Sequence, residues 1–128
     1  MKLAMIGLGK MGSNMSRRLM RGGHQVVVYD LERSAVEEMV KERAEGADSL
    51  ENAVAKLDPP RAVWVMVPAG KPTEETVSSL LDLLEPGDIL VEGGNSYYRN
   101  SLRHAAAFAV KDIHFLDVGV SGGVWGLE

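Results

Sequence analysis

The sequence predicts an α/β fold, a doubly wound and mainly parallel sheet with helices on both faces. Three observations point to it. Runs such as "QVVVYD" (25–30) and "AVWVMV" (62–67) are apolar without polar alternation, as strands covered on both faces tend to be. Between such runs lie charged stretches whose apolar residues recur at helical spacing. The two kinds of segment alternate along the chain, which implies right-handed crossovers between parallel strands.

Taken in order, "KLAMI" (2–6) is a first strand stopped by glycine. "MGSNMSRRLMRGG" follows, with Met11, Met15, Leu19 and Met20 on one helical face and Gly22-Gly23 as its stop. "QVVVYD" is the second strand. "ERSAVEEMVKERA" (32–44) reads as a charged helix with Ala35, Val36, Met39 and Val40 as its apolar stripe. "SLENAVAKL" (49–57) is a shorter helix with Ser49 placed to cap it. Pro59-Pro60 separates it from the third strand, 62–67. "PTEETVSSLLDLL" (72–84) is the next helix, with Pro72 near its start and Pro86-Gly87 past its end. "DILVEGG" (88–94) is a fourth strand, "YYRNSLRHAAAFAV" (97–110) a helix, and "IHFLDVGV" (113–120) a fifth strand. Neither an internal repeat nor a low-complexity linker interrupts this order.

The 128 residues suffice for one domain with a real core, and 45% hydrophobic with 25% charged residues is ordinary globular composition. A net charge of -4 supplies no attraction for nucleic acid or an anionic membrane surface, so neither is an expected partner. Arg17, Arg18 and Arg21 form the densest basic cluster and read as a solvated helix face. The absence of cysteine excludes disulfides and thiolate metal sites. No apolar run approaches the ~20 residues of a membrane span, and the N-terminus lacks a signal-peptide pattern. A cytoplasmic location is the expectation. His24, His104 and His114 read as structural or exposed, with no ligand-spaced acidic partner to suggest metal.

Gly7, Gly9 and Gly12 fit G-x-G-x-x-G. Alone that pattern is weak, but here it stands between a strand and a helix, which is the context it needs. Gly7 allows the tight turn, Gly9 lets backbone approach a pyrophosphate, and Gly12 lets helix pack on strand. The helix N-terminus adds free N–H groups and the positive end of a dipole. The second requirement, an acidic residue about 20 positions on at the end of the next strand, is met by Asp30. A carboxylate there accepts ribose hydroxyls and repels a 2′-phosphate. Leu31 and Glu32 follow it where NADP sites carry arginine, so NAD is favoured over NADP, with Arg33 the residue nearest to reversing that preference.

Ligands of open α/β sheets bind outside the carboxyl ends of the strands. Val67, Pro68 and Ala69 leave the third strand there. "VEGGNSYYRNS" (91–101) and "DVGVSGGVWG" (117–126) leave the fourth and fifth with small residues, a carboxamide at Asn95 and a hydroxyl at Ser121. Both suit a polar, oxygen-rich ligand.

"GLGKMGSNMSRRLMRGGHQVVVYD" resembles the opening of the β-hydroxyacid dehydrogenase superfamily. "EGGNSYYRNS" followed by "GVSGGVWG" is similar to the 6-phosphogluconate dehydrogenases, in their NAD-preferring, decarboxylating branch. The resemblance covers essentially the whole chain and implies a Rossmann-type NAD-binding domain over 1–128. It also implies that the chain is truncated, and that a C-terminal all-helical substrate and dimerisation domain is absent. By that resemblance Gly7, Gly9, Met11 and Gly12 contact the pyrophosphate, with Leu8 and Lys10 in the same cofactor-binding loop. Asp30 then holds the adenine ribose, and Val67, Pro68 and Ala69 flank the cofactor. Asn95 bridges nicotinamide and substrate, while Ser121, Gly122 and Gly123 hold the C1–C3 end of 6-phosphogluconate.

The family reaction oxidises the C3 hydroxyl by hydride transfer to the nicotinamide, and loss of CO2 then leads to ribulose 5-phosphate. Its general base lysine and general acid glutamate lie downstream of V-S-G-G, so no catalytic residue is assigned within this chain. A 3-hydroxyisobutyrate-type dehydrogenase is one alternative, against which G-G-N-S argues. A non-catalytic dinucleotide-binding fragment is the other. A sheet ending at the fifth strand leaves an apolar edge, so a homo-oligomer is expected.

Overall fold

The structure, a computed structural model, describes residues 2–66, 71–93 and 98–117. Its elements are β1 (Lys2–Ile6), α1 (Lys10–Arg21), β2 (Gln25–Tyr29), α2 (Arg33–Lys41), β3 (Glu45–Gly46) and α3 (Leu50–Ala55). They continue as β4 (Ala62–Val65), α4 (Lys71–Leu83), β5 (Ile89–Glu92), α5 (Tyr98–Val110) and β6 (His114–Asp117). The sheet runs β3-β2-β1-β4-β5-β6, and every neighbouring pair is parallel. Chain order reverses beside β1, between β1 and β4, which is where such sheets open a ligand crevice.

Although the strands read as continuous apolar runs, their side chains still divide by face. Ala4, Ile6, Val27, Val63, Val65 and Leu90 join Ala53 and Leu57, Val77 and Leu80 of α4, and Phe108 of α5 in one cluster. Met5, Val26 and Val28 join Met15 of α1 and Val36 and Met39 of α2 in the other. The helices are thus sorted by which alternate positions of the strands they cover.

Two sequence expectations change at one place. The helix expected over 32–44 ends at Lys41, because Arg43 adopts a left-handed φ of 81° and Ala44 N donates back to Met39 O. Ala44 thereby turns into the core. The chain then makes a sixth strand where five were expected. This β3 has two residues, one charged and one glycine, and carries no periodic apolar signal. Its register against β2, Val27 to Glu45 and Val28 to Gly46, exists only in three dimensions. A Cβ on Gly46 would stand 2.9 Å from Val40 Cγ2 and 3.1 Å from Val36 Cγ1, so α2 packs directly against this strand. Glu45 lies 3.2 Å from both Lys2 Nζ and Lys56 Nζ, and these ammonium groups, Lys2 first, hold its carboxyl below the ordinary range. That contribution is present above the carboxylate's unfolded-state pKa and fades as pH falls through its lowered value.

The Ser49 cap is present, its Oγ accepting from Asn52 N at 2.9 Å. At the amino edge of the sheet, Asp88 is buried and accepts from Arg61 N (2.7 Å), Glu85 N (2.8 Å) and Arg61 Nη1 (3.3 Å). One carboxylate thus ties the entry to β4 to the turn before β5. Asp88→Ala leaves two part-buried N–H groups without acceptors and removes a buried ion pair. We expect a loss of about 3 kcal/mol, read as a lower midpoint in urea unfolding.

Candidate functional site

The carboxyl ends of the strands align in one row. Tyr29 pairs with Ile6, Ile6 with Val65, Val65 with Glu92, and Glu92 with Asp117. The strand ends that precede the segments singled out from the sequence therefore stand along a single edge. Val67, Pro68, Ala69, Asn95, Ser121, Gly122 and Gly123 lie outside the described residues. Gly7, Leu8, Gly9, Lys10, Met11, Gly12 and Asp30 lie within them.

The three glycines have different physical reasons to be glycine. Gly7 takes a φ of 99° while its N–H donates to Tyr29 O at 2.9 Å, a backbone conformation a side chain strains. A Cβ on Gly12 would stand 2.0 Å from Gly7 O, so α1 can lie this close to β1 only without one. Gly9 is the exception. Its φ of -64° suits any residue, and a Cβ there would meet nothing within 4 Å. Nothing among the described residues requires this position to be bare. It caps α1 from an exposed position with no side-chain cap, and no acidic residue stands in the first turn. The leading N–H groups of the helix are left to an anion.

Around the turn, Leu8 buries its side chain and Met11 is half-buried, whereas Lys10 is exposed. Ser13 Oγ donates to Leu8 O at 2.9 Å, and Ser16 Oγ to Gly12 O at 2.8 Å. Asp30 has a duty that the sequence did not announce. Its Oδ2 accepts from Leu8 N at 2.6 Å and its Oδ1 from Glu32 N at 2.8 Å. The carboxylate thus fastens the end of β2 to the glycine turn. A carboxylate has about four acceptor positions, so each oxygen keeps one for a hydroxyl donor. Arg33 is exposed, with its Nε 4.0 Å from Glu37 Oε1 on its own helix.

Two features of this edge were not read from the sequence. Gly93 is bare for an internal reason, since a Cβ would stand 2.5 Å from both Met66 Sδ and Trp64 Nε1. The expectation that small residues at this exit admit a ligand is corrected at this position: the space is taken by the Trp64 indole, which donates to Met66 Sδ at 3.1 Å. His104, which has no ligand-spaced acidic partner in the sequence, has two acidic partners in the fold. Its Nδ1 lies 2.8 Å from Glu92 Oε2 and its Nε2 lies 3.2 Å from Glu74 Oε2. The three residues are far apart in the chain, so only the fold could bring them together.

A concavity of about 850 Å³ opens elsewhere, lined by Lys2, Arg17, His24, Gln25, Glu42 and Arg43 among others. It lies at the amino ends of β1 and β2, across the sheet from the glycine turn. Arg17, expected on a solvated face, pairs there with Glu42 at 2.8 Å. That hydrogen bond raises the pKa of Arg17 and lowers that of Glu42. Among the described residues no cluster of His, Asp or Glu is arranged to hold a metal, and no helix is long and apolar enough to cross a membrane.

The NAD-binding domain of 6-phosphogluconate dehydrogenase, as a family, matches residues 2–128. The NAD(+)-dependent, decarboxylating 6-phosphogluconate dehydrogenase of Haloferax volcanii is 40% identical over 100% of this chain and 42% of its own. The NADP(+)-dependent, decarboxylating enzyme of Bacillus subtilis is 40% identical over 95% of this chain and 27% of its own. The chain therefore spans well under half the length of these relatives. Among solved structures, Plasmodium falciparum 6-phosphogluconate dehydrogenase superimposes with a TM-score of 0.82 at 30% identity, over 90% of this chain and 26% of that one. Mycobacterium tuberculosis 3-hydroxyisobutyrate dehydrogenase does so with a TM-score of 0.85 at 26% identity, over 94% and 40%.

The unequal reasons for the glycines separate stability from binding. Gly12→Ala forces a methyl group into the Gly7 carbonyl and should cost about 3 kcal/mol of stability. Gly9→Val meets open space, so its circular dichroism and melting should stay close to the parent while dinucleotide binding is lost. Gly9→Val unfolding, with affinity retained in the folded fraction, would make that glycine structural.

Proposed function

The chain belongs to the family of NAD-binding domains of 6-phosphogluconate dehydrogenase, and on that premise we propose that it is the dinucleotide-binding part of an NAD-dependent, decarboxylating 6-phosphogluconate dehydrogenase. The observation that carries the reading is Gly9, a bare residue at a helix N-terminus with no neighbour among the described residues to explain it. A pyrophosphate lying against backbone is the ligand such a position suits.

In this reading the N–H groups at the start of α1, around Gly9, Lys10, Met11 and Gly12, take the pyrophosphate. Leu8 shapes this turn without donating to the ligand, because its side chain is buried and its N–H is committed to Asp30. Asp30 takes the adenine ribose hydroxyls with its remaining acceptor positions. Val67, Pro68 and Ala69 flank the dinucleotide, Asn95 meets both nicotinamide and substrate, and Ser121, Gly122 and Gly123 hold the C1–C3 end of 6-phosphogluconate. The bound nicotinamide supplies the acceptor for hydride from C3. The chain's own residues bind and orient. No lysine or glutamate here is given the role of base or acid. The reading includes a cytoplasmic location, a homo-oligomer, and neither nucleic acid nor membrane as partner.

Both NAD(+)- and NADP(+)-dependent enzymes stand among the relatives at similar identity, so cofactor choice is argued from the site. Asp30 presents a carboxylate where a 2′-phosphate would lie, and Arg33 is turned to Glu37. We expect NAD to bind at least tenfold more tightly than NADP, a difference of ~1.4 kcal/mol. Calorimetric titration of the chain with each cofactor reads this directly. Equal affinities would remove the role given to Asp30.

A further inference from the structure

His104 occupies the second turn of α5, the helix that follows the segment 94–97. Glu92 is the last residue of β5, just before that segment. Glu74 stands in the first turn of α4, the helix that follows 67–70. One buried imidazole therefore joins the end of β5 to the beginnings of α5 and α4. The end of β4 is fixed through the sheet, where Met66 N donates to Ile6 O at 2.7 Å. Gly93 N likewise donates to Val65 O at 2.8 Å.

The chemistry of the bridge makes it demanding. Glu92 is fully buried, its Oε1 has no hydrogen-bond partner among the described residues, and its Oε2 is met by His104. Both ring nitrogens of His104 face carboxylate oxygens. Phe115 covers the ring edge-on at 6.1 Å, and Arg103 adds a second contact to Glu74 at 3.4 Å. Without His104 the buried Glu92 carboxylate would have no partner among the described residues, which a protein relieves by moving it or admitting water. Either change displaces the end of β5.

A doubly wound sheet takes a dinucleotide across two mononucleotide-binding halves, here β1–β3 and β4–β6. The glycine turn and Asp30 belong to the first half. The bridge belongs to the second. We propose that Glu92, His104 and Glu74 form a positioning bridge that sets the carboxyl ends of the second half for the nicotinamide-bearing end of the dinucleotide. None of the three touches the ligand; they act by fixing the end of β5 against the beginnings of α4 and α5. The proposal rests on the dinucleotide reading above.

The test compares ADP-ribose, which carries only the adenosine half and the pyrophosphate, with NADH, whose nicotinamide emission reports its own surroundings. In the parent chain both should bind, and nicotinamide emission should rise on binding. His104→Leu should leave ADP-ribose affinity unchanged, lower NADH affinity roughly tenfold, and abolish the emission rise. His104→Leu with Glu92→Leu removes the orphaned carboxylate, so it should recover melting temperature without recovering the emission. Equal loss for both ligands, an emission rise retained in His104→Leu, or emission recovered together with stability would each overturn the bridge as a positioning device. Failure of the parent to bind either ligand would instead overturn the dinucleotide reading itself.

Discussion

Helix α1 meets the end of β1 backbone to backbone, and the rest of the carboxyl edge depends on that contact. The missing Cβ of Gly12 lets the helix stand against the Gly7 carbonyl. Gly7 in turn spends its positive φ and its N–H on turning away from β1 while staying tied to β2. With the helix axis held there, the free N–H groups of its first turn face outward along the edge. Asp30 then closes the arrangement from the side by accepting from Leu8 N. A carboxylate that is also the candidate ribose acceptor thus helps shape the turn beneath the candidate pyrophosphate position. The two parts of the site are mechanically one.

Much of this was legible because it is local. β1, β2 and the helices announce themselves by runs and periods, and Ser49 caps α3 as its position suggests. The glycine spacing and Asp30 could be read because the strand–turn–helix unit that uses them is short. The pattern assigns the three glycines different reasons: Gly7 and Gly12 answer to backbone geometry, and Gly9 meets no such neighbour among the described residues. At the exit of β5, Gly93 goes the other way: it looked like room for a ligand and is room for Trp64.

What stayed illegible depends on distant partners. β3 exists because β2 offers it a register and α2 ends early at Arg43, and neither fact has a periodic signature. His104 sits on a helix whose apolar stripe is unremarkable, twelve positions from Glu92 and thirty from Glu74. No spacing rule joins residues on a strand and two helices. Their meeting follows from the order β4-β5-β6, which brings α4 and α5 side by side over one face.

The distribution of charge on the helices decides which edge of the sheet suits an anion. α1 has no acidic residue in its first turn and carries Arg18 and Arg21 in its last. Its positive end is therefore uncompensated at the carboxyl edge, while its negative end is answered by its own side chains. Of the cations lining the concavity at the amino edge, Arg21 has this local explanation, while Arg17 pairs with Glu42 and Lys2 with Glu45. α4 shows the opposite pattern at the carboxyl edge, since Glu74 stands in its first turn and is engaged by His104 and Arg103. An anion at this edge meets the start of α1 free of any carboxylate in its first turn and the start of α4 already supplied with one.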